Sequence, residues 1–457
     1  QTTWSRTYGG ASWDEGLSVQ QTTDGGYVIA GHTHAAGEGG NVYLVKTNAT
    51  GDTLWTRTYG GTQDDGGNSV QLTSDGGYVV CGFGIAASGE AGMLIIKTDA
   101  LGHEIWSRIS SGGCTCHETS AGGYIGADSI RREDGSWKIK VVNSDVNGDP
   151  LWVGIYGDDG TANHPYSIIE VPDGGYVVTG QTSEHPSNPL AMQRYIVARK
   201  ISSEGEEVCS YTYGNPFCDT HGGTATAVAD GYVIVGSSCD GELDPFSSDM
   251  YVVKVNNQFE EQWARLFDAH GIDVAVDVVG DGDGYVIAGV RHDPITEYSG
   301  DIHLFKLDST GTQQWATVFG TPQESEIASS ITKVRGGYTL AGSLGYTAVL
   351  VVKFEWDTNQ VAFVRGDTNA DSKVDIADAV SVLSYLFGPA EDPSKAKVAE
   401  CLDAADANDD GKTDIADAIK ILGHLFAAEG PLPAPFGECG IDVTVDGLDC
   451  LSFAPCQ

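Results

Sequence analysis

Two short stretches of this 457-residue chain repeat each other closely: DTNADSKVDIAD from position 367 and DANDDGKTDIAD from position 406. Each sets side-chain oxygens at positions 1, 3, 5, 9 and 12, with a main-chain carbonyl at 7, the spacing of a twelve-residue loop around a hard divalent cation such as calcium. The first loop offers Asp367, Asn369, Asp371, the Lys373 carbonyl, Asp375 and Asp378. The second offers Asp406, Asn408, Asp410, the Lys412 carbonyl, Asp414 and Asp417. Position 9 of such loops often reaches the ion through water. Carboxylates gathered this closely repel one another unless a cation sits among them. Two bound calcium ions are therefore expected. Gly411 supplies the sharp turn at position 6 of the second loop, whereas Ser372 stands there in the first and should strain it slightly.

Each loop runs into a helical pattern that presents its chemistry. Val380, Leu383, Leu386 and Phe387 recur at helical spacing, as do Ile419, Leu422, Leu425 and Phe426, and most are expected to form a core between two helices. Gly388-Pro389 and Gly430-Pro431 stop the two helices. No clear helix precedes either loop, unlike a full EF-hand. This duplicated loop-then-helix unit, with Asp at position 12, resembles the dockerin module of secreted bacterial proteins, over about residues 366–427. The resemblance implies docking to a protein partner, either cohesin-like or a neighbouring copy of this chain. It also implies that loop positions 10 and 11 contact that partner. Those positions are Ile376-Ala377 and Ile415-Ala416, apolar where a hydroxyl pair is common, so the partner surface should be unusually apolar.

A different pattern fills residues 1–365. WTRTYGG from Trp55 echoes WSRTYGG from Trp4, and SVQQTTDGGYVIAG (18–31) is answered by SVQLTSDGGYVVCG (69–82) and four later versions. The opening aromatic falls at Trp4, Trp55, Trp106, Trp152, Trp263 and Trp315, with a degenerate member near Val208. That gives seven units of roughly 50 residues, each with four strand-like runs between Gly/Asp/Asn turns, which predicts a seven-bladed β-propeller. The unit between Trp106 and Trp152 fits worst. The DGG before each Tyr reads as a hairpin turn with Gly at positive φ. These units resemble the repeat propellers of secreted bacterial proteins. The whole chain is thus expected to be mainly β: a propeller over 1–365, a small helical calcium-binding domain over 366–430, and a Cys/Pro-rich tail over 431–457 packed back on it.

Two strands compete to complete the last blade. The run Lys353–Arg365 imitates Lys46–Arg57 with Phe363 in the place of Trp55, so either it or the strand around Trp4 is expected to be surplus. A surplus strand that paired with a neighbouring subunit would build a filament or sheath.

Charge and composition narrow the function. With 25 basic and 64 acidic residues the formal net charge is −39, which repels nucleic acid and anionic membranes. No stretch reaches the ~18 apolar residues of a membrane span. The chain begins at Gln1 without a leader, as expected of a secreted protein after signal-peptide removal. Cysteines fit an oxidising compartment: Cys81, Cys114, Cys116, Cys209, Cys218 and Cys239 in the propeller, and Cys401, Cys439, Cys450 and Cys456 beyond it, all expected in disulfides.

Other candidate chemistry is thin. Cys114-Thr-Cys116-His117 is spaced for a metal, but disulfide pairing is the expected use. Asp145-Val-Asn-Gly-Asp149 looks like half a calcium loop, yet aligns with the repeat turn Asn48–Asp52. His32 and His34 are spaced to share a strand face, but plain exposed histidines are the expected reading. An Asp-box beginning at Thr22 fails because Ile29 stands where an aromatic is needed. The expected function is non-catalytic, calcium-dependent assembly outside the cell; the alternative is a carbohydrate-binding or carbohydrate-active propeller anchored through the C-terminal module.

Overall fold

The computed structural model describes residues 2–456 apart from 11–12, 35–38, 86–90, 111–114, 172–173, 185–192, 215–219, 239–247, 268–271, 283, 293–299, 322–323, 335, 346, 356–362, 390–397, 399–400, 410–411, 428–429, 434, 438 and 440–452. Among the described residues, twenty-eight strands group into seven antiparallel blades of four. The second blade shows the order: Gly66–Leu72 innermost, then Tyr78–Ile85, Ala91–Thr98 and the outer Glu104–Ser110. The innermost strand of each blade contacts that of the next, and Glu326–Val334 of the seventh returns to Asp14–Gln21 of the first. The ring is closed, and the architecture is a β-propeller.

The competition to close the last blade is settled by pairing. Thr2–Tyr8 lies antiparallel to Ala348–Glu355, with Trp4 opposite Lys353 and Tyr8 opposite Val349, and completes the seventh blade. Phe363 is instead buried with Cys401, Ala404 and Phe453 in the C-terminal module. Thr2–Tyr8 is therefore not a surplus strand, which removes that basis for strand-mediated polymerisation; residues 356–362 of the rival run lie outside the described residues.

The repeat motif is a latch between blades. Trp55 packs against the turn at Gly102 of the next blade, where an added Cβ would lie 2.7 Å from the indole. Gly102 has φ +74, so a side chain there would be strained as well as crowded. Tyr59 Oη donates to the Gly102 carbonyl at 2.6 Å, and the Arg57 guanidinium lies 5.3 Å from the Trp55 ring centre. The same bond recurs from Tyr8 to Gly51, Tyr156 to Gly205 and Tyr213 to Phe259. A second recurrent pair fixes the hairpins of the first two blades: the buried Lys46 and Lys97 ammoniums meet Asp24 and Asp75, each at 2.8 Å. Gly25 and Gly76 of those DGG turns have φ +76 and +80, as the turn reading requires. Asp145–Asp149 is likewise a repeat turn: Asp145 Oδ1 accepts the Asn147 and Asp149 N–H groups, as Asn48 Oδ1 accepts those of Thr50 and Asp52.

In the third blade the innermost strand is described over Thr115–Glu118, and residues 111–114 before it lie outside the described residues. A disulfide from Cys81 of the second blade to Cys116 ties that strand down, so Cys116 is a structural half-cystine rather than a metal ligand. The expectation that every cysteine is paired needs correction. Cys209 is a free thiol, because it occupies the latch position of Trp152 and packs among Ile169, Ala264 and the surrounding blade core. Burial pushes its thiol pKa up, which disfavours the reactive thiolate. Cys439 pairs with Cys456, and Cys401 is disulfide-bonded. Cys114, Cys218, Cys239 and Cys450 lie outside the described residues.

Beyond the propeller are two twelve-residue helices, α1 (Ile376–Phe387) and α3 (Ile415–Phe426), with a short α2 (Leu402–Ala405) between them in sequence. Ala379, Val382, Val398, Ala405, Ala418 and Ile421 form their shared core. No helix among the described residues is long and apolar enough to cross a membrane.

Candidate metal centre and docking face

The loops and helices are built by the same side chains. Asp375 caps α1 by accepting the Ala377 N–H at 2.7 Å, and Asp378 reaches back to the Asp375 N–H at 2.8 Å. Asp414 and Asp417 repeat this capping box on α3, with bonds of 2.6 and 2.7 Å. Such a box satisfies donors that a helix start leaves open. Here its acid, the third residue of the helix and within the first turn, is also position 12 of the loop, so helix nucleation and ligand placement are one event.

In the first loop, the position-1 and position-12 carboxylates, Asp367 and Asp378, are fully buried. Asp367 accepts the N–H groups of Asp371 and Ser372 at 2.9 and 2.8 Å, and Asp378 accepts that of Asn369 at 3.2 Å. Asn369 and Asp375 are half-buried, while Asp371 and Lys373 face solvent. The second loop matches: Asp406 and Asp417 are buried, Asn408 donates its N–H to Asp417 at 3.2 Å, Asp414 is half-buried, and Lys412 is exposed. Asp410 lies outside the described residues. Ser372 stands at φ +70, the strained position-6 turn anticipated from its side chain; Ala370 and Asp409, both at position 4, also have positive φ.

The electrostatics fit a hard cation. Desolvation pushes the Asp378 carboxyl up to about 6, and the negative charges of Asp367 and Asp371 add to that. Asp367 is raised by the same burial and by Asp371. Buried carboxylates held together at this cost are what a divalent ion would relieve. Among the described residues, no three or more His, Cys, Asp and Glu side chains are placed together to hold a metal ion. Loop sites of this kind also use amide and main-chain oxygens, and Asn369 and Asn408 stand at the positions that supply them.

The helix faces depart from expectation. Leu383, Leu386, Leu422 and Leu425 do pack against the shared core. Val380, Phe387, Ile419 and Phe426 do not; both phenylalanines are 72% exposed. They continue the loop-end residues, since Ile376 and Ile415 are 56% and 52% exposed, Ala377 is exposed and Ala416 half-buried. Two matching apolar stripes thus face outward, Ile376–Val380–Phe387 and Ile415–Ile419–Phe426. Spacing alone did not separate them from the core, because both sets obey helical periodicity.

The family model of the dockerin type I domain matches residues 365–425. This segment is a dockerin domain. Dockerin type I domains typically bind calcium and dock to cohesin-type proteins in extracellular or cell-surface complexes. No curated protein matches the chain. Among solved structures, the Neurospora crassa Pan2 WD40 domain aligns at 10% identity and TM-score 0.47, over 74% of this chain and 88% of that one. BBS1N, from a complex with ARL6DN, aligns at 11% identity and TM-score 0.45, over 78% and 97%.

Proposed function

We propose that this protein is a non-catalytic extracellular assembly component, in which two calcium ions organise the dockerin and its apolar stripes dock a protein partner. The ions would be held by Asp367, Asn369, Asp371, the Lys373 carbonyl, Asp375 and Asp378, and by Asp406, Asn408, Asp410, the Lys412 carbonyl, Asp414 and Asp417. The observation that carries the reading is the pair of outward stripes, which begin at loop positions 10 and 11. Apolar side chains left on a 12-residue helix that already has a core are partner-facing by default. The propeller supports the non-catalytic part, since its recurrent polar residues are engaged in latches and hairpin pairs. Calorimetric titration with a panel of cohesin-type domains, in millimolar calcium and then in chelator, tests it. Binding that ignores calcium would sink the reading. Sedimentation of the protein alone in calcium distinguishes docking to a foreign partner from docking to a second copy.

One feature favours the carbohydrate-binding alternative. Trp13 is 51% exposed and stacks flat on His34, with centroids 5.4 Å apart and planes 13° off parallel. A rigid, open indole is a platform for a sugar ring. Glycan-array binding lost in Trp13→Ala would establish that role; equal binding would remove it.

A further inference from the structure

The two candidate calcium loops are near copies in sequence, and a buried guanidinium is wedged behind the second. Arg365 is the largest fully buried side chain among the described residues, with 0% exposure. It precedes the first loop in sequence but serves the second. Its Nη1 donates to the Asp406 carbonyl at 2.6 Å and its Nη2 pairs with Asp409 Oδ1 at 2.9 Å. Asp406 is position 1 of the second loop, and Asp409 is position 4, held at φ +63. Asp409 has no place in the ligand spacing. Its counterpart in the first loop, Ala370 at φ +55, has no side chain able to make such a pair. The main chain of Arg365 also donates to the Pro435 carbonyl at 2.6 Å, and Gly366 N–H to the Ala404 carbonyl at 2.8 Å. One residue therefore ties the entry of the dockerin, its C-terminal tail and the second loop together.

We infer that Arg365 is a positioning residue for the second calcium site. It holds the first turn of that loop in its binding conformation before the ion arrives, a constraint applied from outside the loop. The inference rests on the proposed calcium function. A buried guanidinium near a cation site also repels the ion, but pairing with Asp409 cancels that charge, and what remains is geometry. Partners one step behind the ligands commonly change metal affinity by about 10- to 100-fold.

The test is calcium titration calorimetry on the full chain, with Asp367→Ala used to silence the first loop. The charge-balanced pair Arg365→Met with Asp409→Asn removes the clamp without leaving a charge behind. The second site should weaken by about tenfold or more, the first should change by less than about twofold, and exchange protection at residues 430–437 should fall. Should the double variant not fold, Asp409→Asn alone, which keeps the buried arginine and an acceptor oxygen, should weaken the second site by a smaller factor. An unchanged second site, or equal weakening of both, overturns the inference. A wild-type chain that binds no calcium defeats instead the function on which it rests.

Discussion

The propeller and the dockerin are both made by duplication, but their duplicated residues end in opposite places. In the propeller, the Trp, Arg, Tyr and Gly that recur with each unit face the neighbouring unit, as Trp55 and Tyr59 do against Gly102. In the dockerin, the recurrent isoleucines Ile376 and Ile415 and the terminal phenylalanines face water. A unit that cannot bury its own faces repeats whatever joins it to the next one. A two-copy module whose core is already closed repeats what it shows to others. Recurrence alone therefore does not distinguish a stabilising residue from a binding one; what decides is whether the next copy covers it.

Removing calcium should divide the molecule along this line with the largest effect. If ion binding is folding energy for the dockerin, chelation removes about 4 kcal/mol per site held at a thousandfold excess over its Kd. For a domain of this size that is a drop of about 15 °C or more in its melting temperature. The propeller transition should stay in place. All nine tryptophans precede residue 366, so their fluorescence follows the propeller alone, while far-ultraviolet circular dichroism at the helical minimum follows the dockerin. A single transition that moves as one would mean that the two regions are not independent.

Next in size is the docking face. Ile376→Asp combined with Ile415→Asp should weaken binding to a cohesin-type partner by about 100-fold, as expected for central apolar contacts. The dockerin melting temperature should shift by no more than about 2 °C, because both positions are exposed. Large loss of stability would show that these side chains belong to the core. The matched experiment in the propeller should do the reverse: Trp55→Ala should cost about 2–3 kcal/mol of propeller stability and Tyr59→Phe about 1 kcal/mol, without changing calcium binding. Urea midpoints read by fluorescence give both values.

Much of this was legible in the sequence because repetition is a strong signal. Seven units, four strands apiece and the calcium-loop spacing all follow from recurrence and periodicity. What stayed hidden was whatever only a long-range contact decides. Trp4 and Phe363 sit in near-identical strand patterns, and only the pairing of Thr2–Tyr8 with Ala348–Glu355 separates them. Cys209 looked like half of a disulfide because the cysteine count is even, while its register with Trp152 marks it as a small residue filling a latch. Arg365 had no signal at all, since its partners Asp406, Asp409 and Pro435 lie more than forty residues downstream. The helix stripes were visible as apolar positions, but the side they face depends on how α1 and α3 pack.

The smallest effect tests whether a departure from the repeat is tolerated or useful. At the first position after the bulge in the innermost strand, the first, second, fourth and seventh blades carry Ser18, Ser69, Ser167 and Ser330. The sixth carries Asp277. Ser18 Oγ accepts the Val70 N–H of the next blade at 3.1 Å, and Asp277 Oδ2 accepts the Ile331 N–H at 2.9 Å, so the carboxylate does a hydroxyl's work. Desolvation pushes the Asp277 carboxyl up to about 6, although bonds from Ile331, Val278 and Ser330 oppose it. A folded-state pKa above the ordinary value of 3.8 means that the folded protein holds its proton more tightly than the unfolded chain. Stability from this group is then complete below that value, falls as pH rises towards 6, and stays lost at neutral pH. Asp277→Ser should accordingly raise propeller stability by about 1 kcal/mol at pH 7.5 and leave it nearly unchanged at pH 4. Fluorescence-detected urea midpoints at the two pH values measure the difference. An equal gain at both would assign the effect to packing rather than charge. A loss at pH 7.5 would show that the ionised carboxylate is needed where it stands, and that the sixth blade, like the dockerin helices, carries a residue that recurrence within the propeller does not explain.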